Sequence, residues 1–144
     1  METFETNDDH VIVRLDSGDM ALESITEACE EHDIDTGAIV SGIGTFRNLN
    51  IHYVPTAEFP DEKSERNTFL NLEGAWEVGT IDGAIADGDP HLHVIAYNGD
   101  ETVAGHLEDG CEVHILSELT IRKFDGPEMT RRPNEKNVGT LQLK

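Results

Sequence analysis

Three of the seven histidines in this 144-residue chain are spaced so that they can hold a metal ion. Asp89-Pro90-His91-Leu92-His93-Val94-Ile95 reads as a β-strand. Side chains alternate faces along a strand, so His91 and His93 point one way and Leu92 and Val94 the other. Asn98-Gly99-Asp100 follows, a strong hairpin signal. A two-residue loop of Asn98-Gly99 sets His106 opposite His91, and a loop of Gly99-Asp100 sets it opposite His93. In both registers the third imidazole arrives on the same face, with opposed β-carbons about 5 Å apart. Three neutral imidazoles leave a fourth position for water, substrate or another ligand. Zinc suits that set best, with iron, nickel or cobalt next. A three-residue loop would break the parity.

Other residues near this pattern carry weaker signals. His114 lies on the next strand, as an outer partner of the site or a plain surface residue. Glu118 on that strand is a candidate carboxylate for orienting a ligand histidine or moving a proton, with a solvated strand charge as the alternative. His10, His32 and His52 are scattered and read as structural. Ser41-Gly42-Ile43-Gly44-Thr45 lacks both GxGxxG and a P-loop lysine, so its glycines read as a bulge or a close backbone approach. Arg131-Arg132-Pro133 is the only basic cluster, too short alone for a nucleic-acid footprint.

The elements that must position these residues are mostly strands. His10 to Leu15 is β-rich. Asp16-Ser17-Gly18-Asp19 is a turn that also offers a helix N-cap. A helix follows, roughly Met20 to His32, with Leu22, Ile25, Cys29 and His32 at helical spacing. Further strands are expected at Thr36 to Phe46, Leu49 to Val54, Thr68 to Leu72 and Val78 to Ala86, with Asn48 as a hairpin or bulge residue. His91 to Tyr97, Thr102 to Leu107 and Val113 to Phe124 complete the β-rich region. Pro55 to Asn67 and Asp125 to Asn137 read as polar loops, and Val138 to Leu143 as a closing strand. One helix among many short strands predicts an α+β fold with a mostly antiparallel sheet.

Composition narrows the class. Thirty acids against ten cations give a formal charge of −20 at pH 7. The acids are spread along the chain and not blocked into a tail, which favours adaptation to a salty cytoplasm over a disordered acidic chain or an interaction surface for cationic partners. Cys29 and Cys111 show no zinc-ribbon or CxxC spacing and read as small buried hydrophobes. Met1-Glu2-Thr3-Phe4-Glu5 is acidic and unlike a signal peptide, and no apolar run has membrane-spanning length. The expected setting is cytoplasmic.

Several segments together resemble the plants-and-prokaryotes conserved (PPC) domain. They are Arg14-Leu15 with Asp16-Ser17-Gly18, Ser41-Gly42-Ile43-Gly44, Leu72-Glu73-Gly74, Gly83-Ala84-Ile85, Gly88-Asp89-Pro90-His91-Leu92-His93, Gly105-His106-Leu107 and Glu118-Leu119-Thr120-Ile121. The resemblance spans roughly residues 4–143 as a single domain. It implies an antiparallel sheet with a packed helix, assembled as a homotrimer. It implies DNA binding, as described for archaeal and bacterial relatives, and a metal carried on His91, His93 and His106. Two departures stand against the DNA partner. No Arg-Gly-Arg-Pro arm is present, and a domain at −20 is repelled by duplex phosphates unless salt or a local basic patch intervenes.

Three functional readings follow. The first is a trimeric metal-binding regulatory module of the DNA-binding type. The second is a metal-dependent enzyme, hydrolase or lyase, using the open position with Glu118 as base. In the third, the metal only stiffens the hairpin or the trimer.

Overall fold

A computed structural model describes residues 1–60, 62–126 and 128–144. The chain runs β1 (Glu2–Glu5), β2 (His10–Asp16), α1 (Ala21–Glu31), β3 (Thr36–Tyr53), β4 (Thr68–Ala86), β5 (Asp89–Tyr97), β6 (Thr102–Leu107), β7 (Val113–Lys123), β8 (Met129–Pro133) and β9 (Gly139–Leu143). Seven strands form one antiparallel sheet in the order β1-β2-β7-β3-β4-β5-β6, and β8 and β9 form a separate two-stranded ribbon. The expected α+β architecture holds.

Burial follows the sequence pattern. On β2, Val11, Val13 and Leu15 alternate inward. On β5, Pro90, Leu92, Val94 and Ala96 are buried, while His91, His93, Ile95 and Tyr97 share the open face. Helix α1 buries Ala21, Ser24, Ile25, Ala28 and Cys29 at helical spacing. Its start differs from expectation: Met20 holds the N-cap position with no side-chain bond. Asp19 accepts instead from the Asp16 amide and the N-terminal ammonium. The Ala21 amide donates to the Cys111 carbonyl, so a segment distant in sequence performs the capping. Both cysteines are buried and free. Burial pushes the Cys29 thiol up to about 12 and that of Cys111 up to about 11.

The largest departures are two long strands. Thr36–Tyr53 and Thr68–Ala86 each form one continuous element where the sequence predicts two. The glycines and Asn48 that look like breaks are bends. β3 shifts register at Ile39/Ser41, Gly44/Phe46 and Phe46/Asn48, which curves a strand without ending it. Gly42 serves a close approach, since a β-carbon there would press on Ile81 and Leu119. Curvature brings the sheet back on itself, and the end of β3 pairs with β6 through Ile51↔Leu107 and His52↔His106. Strands β3, β4, β5 and β6 thus close into a ring. Two further strands escape the sequence reading. β1 is a short acidic strand paired with β2, and β8 falls where a charged loop is expected. β9 pairs with β8 and does not close the main sheet.

Candidate metal centre

The hairpin between β5 and β6 turns through Gly99 and Asp100. The Asn98 amide donates to the Glu101 carbonyl, and Asn98 Oδ1 accepts from the Asp100 and Glu101 amides. This selects the second of the two registers, with His106 opposite His93. Alternation places His91 beside them, and the three rings converge. Ring centroids lie 4.6 Å apart for His91–His106, 5.5 Å for His93–His106 and 5.6 Å for His91–His93. Each ring offers a ligand atom within 4.8 Å of the others. His91 and His93 are exposed and His106 is half-buried.

Electrostatics favour the neutral form of two of the three rings, His91 and His106. Burial, then the charges of His91, His52 and His93, lowers the His106 pKa to about 4. Burial, then Arg131 and His93, lowers that of His91. Arg131 comes from β8 and donates to the Ala84 carbonyl at 3.4 Å. Ala84 is the β4 residue in register with His91. Neutral imidazoles are the form that binds a cation. Among the described residues His106 Nδ1 is buried and has no hydrogen-bond partner, an orphaned donor or acceptor of the kind a bound ion satisfies. The donor chemistry and this nitrogen both fit a borderline divalent metal.

Two residues missed at the sequence level belong beside the trio. His52, read as structural, stands opposite His106 across the β3–β6 seam with ring centroids 4.5 Å apart. Glu108 accepts from His52 Nδ1 at 2.5 Å and lies 3.8 Å from His106 Nε2. The spacing His106-x-Glu108, with Glu108 just past the end of β6, offered a local hint. No local signal marks His52, because its pairing depends on the closure of the ring.

The other candidates lie elsewhere. Glu118 pairs with Ile43 on β3 and Arg14 on β2. Three strand spacings separate β7 from β5, on the order of 14 Å. The acid that the structure brings beside His106 is Glu108. His114 is also outside the cluster, and its carbonyl accepts from Arg47.

A cavity of about 640 Å³ opens onto the histidines. His52, His91, His93 and His106 line it, with Tyr53, Val54, Phe59 and Pro60 supplying apolar surface. Asn137 and Val138, from the β8–β9 connection, complete the lining. Arg66 ties these parts together. It donates to the carbonyls of Pro60 and Lys136 and stacks over Phe59 at 4.4 Å. The arrangement can present a cation with a vacant position to a partly apolar ligand.

Comparison with known proteins places this geometry in a family. The Plants and Prokaryotes Conserved (PCC) domain matches residues 2–125. The chain superposes on a candidate DNA-binding protein from Bacteroides thetaiotaomicron with a TM-score of 0.84 at 18% identity, covering 99% of this chain and 96% of that one. A plant- and prokaryote-conserved protein from Pyrococcus horikoshii gives 0.76 at 25% identity, covering 99% and 94%. A metal-containing protein from Archaeoglobus fulgidus gives 0.74 at 28% identity, covering both chains completely (100%). No curated protein sequence matches the chain. The chain belongs to the Plants and Prokaryotes Conserved domain family.

Proposed function

We propose that this chain is a metal-binding regulatory domain that works as a homotrimer and holds a divalent ion, zinc in preference, on His91, His93 and His106. The observation that carries the reading is the convergence of three imidazoles around a ring whose Nδ1 is buried without a partner among the described residues. Leaving such a group unsatisfied costs about 1–3 kcal/mol. When bound, the ion supplies Lewis acidity at an open position. The chain's own residues favour neutral His91 and His106 by burial and by Arg131, and hold His106 against β3. The relative described as metal-containing supports the same reading. Elemental analysis of the purified protein beside His93→Ala tests it: the native protein carries metal and the variant loses it.

Self-association rests on the open sheet face. Ile95 and Tyr97 extend the face that bears His91 and His93, and Ile43 and Ile115 are 52% and 66% exposed. Large apolar side chains left in solvent favour a covered face, and the family resemblance implies three copies. Sedimentation gives the count.

DNA is the partner that the descriptions of two relatives raise. A charge of −20 opposes it. Arg131, Arg132 and Lys136 gather on or beside the β8–β9 ribbon, so phosphate contacts would fall there. Anisotropy titration against duplex DNA at several salt concentrations decides, and no binding at moderate salt removes DNA from the reading. The acid excess itself we read as adaptation to high salt.

The cavity favours a second reading, a metal-dependent hydrolase or lyase whose substrate places an apolar body against Phe59 and Val54. Acetohydroxamate binding to zinc-loaded but not metal-free protein would support it. Among the described residues no helix is long and apolar enough to cross a membrane.

A further inference from the structure

We propose that His52, His106 and Glu108 form a second divalent-cation site, which rests on the three-histidine reading only through the shared His106. Each of the three offers a ligand atom, and these atoms lie within 4.8 Å of one another. The backbone fixes all three. His52 and His106 are register partners, and the Glu108 amide donates to the Asn50 carbonyl at 3.0 Å, which holds the carboxylate beside β3. Glu108 Oε1 already faces both rings, at 2.5 Å from His52 Nδ1 and 3.8 Å from His106 Nε2. Phe69 packs on the other side of His52, with centroids 5.1 Å apart, so the ring is held between two neighbours.

The chemistry differs from that of the first site. Two imidazoles and one carboxylate with open positions make the donor set of catalytic zinc and of non-haem iron(II). The carboxylate offsets half the charge of a dication, which the three neutral histidines cannot do. His52 and His106 both line the cavity above the three-histidine cluster, while Glu108 faces a separate cleft beside Asn50 and Phe69. Holding two ions at once takes one His106 nitrogen for each, and the ring N–H proton this displaces passes to the buffer.

The test is a zinc count. Chelated protein is titrated with Zn²⁺, freed of excess and analysed for metal, with circular dichroism to confirm folding. Two ions per chain are expected in the native protein, falling to one in Glu108→Gln, in His52→Gln and in His93→Ala. A native count of one that survives His93→Ala but not Glu108→Gln keeps this site and removes the three-histidine one. An unchanged count in folded Glu108→Gln and His52→Gln overturns the proposal. So does a single ion lost in both Glu108→Gln and His93→Ala, which marks one merged centre.

Discussion

His52 and His106 face each other where β6 meets the end of β3, their rings 4.5 Å apart. His93 sits on the far side of His106, in register through β5. The row His52, His106, His93 therefore crosses three strands, and its middle member is the most constrained of the three. A change at that position reaches both neighbours, whereas a change at His93 leaves the seam intact.

His93→Ala is expected to weaken zinc binding at least about a hundredfold, since a direct ligand matters no less than the outer partners whose loss costs that much. His114→Ala, whose side chain lies outside the cluster, is expected to leave affinity unchanged. Competition against a zinc indicator measures both, and equal affinities in the two variants would contradict the assignment.

Metal-free protein is expected to lose stability as the pH falls from about 6.5 towards 4. In the unfolded chain a histidine titrates near 6.5, while folded His106 stays neutral down to about 4. The unfolded state therefore takes up the proton first, and the contribution present above pH 6.5 is lost across that window. With the ring's remaining exposure allowed for, it amounts to about 1–2 kcal/mol. Denaturant midpoints of chelated native protein and His106→Gln, compared from pH 7.5 to 4, read the difference. Parallel curves would show that His106 does not titrate this way.

Gly83→Ala is expected to destabilise the fold by about 2–3 kcal/mol and to weaken zinc binding with it. Gly83 has φ of +150° on β4, and a methyl group there would run into the His91 carbonyl. The strain falls on the backbone that carries a ligand. Thermal melts and zinc titration of the variant check both effects, and a native-like melt would show that β5 can move aside.

Dialysis into low salt is expected to unfold the protein cooperatively, because thirty acids against ten cations repel one another once screening is removed. Circular dichroism between molar and millimolar salt follows it, and a constant signal would refute adaptation to salt.

The β5–β6 hairpin was legible because its signals are local. Alternation orients His91 and His93, and Asn98-Gly99-Asp100 fixes the turn to one of two registers. Helix α1 was legible from Ile25 and Cys29, though not its cap, which a distant carbonyl supplies. His52 was hidden because its partner is chosen by the curvature of two long strands, and curvature at Gly44 or Gly74 reads in sequence as termination. Strand β8 was hidden for a related reason. Arg131, Arg132 and Pro133 lack apolar alternation, and they are ordered by β9 and by the Thr130 bond to Asp87.

The two thiols have a practical consequence. Cys29 and Cys111 sit inside the core and stay protonated at working pH, so neither competes with imidazoles for zinc or reacts with alkylating dyes while the fold is intact. A maleimide fluorophore is thus silent on native protein and lights up only when the interior opens, which turns these two residues into a built-in gauge of how often each variant breathes.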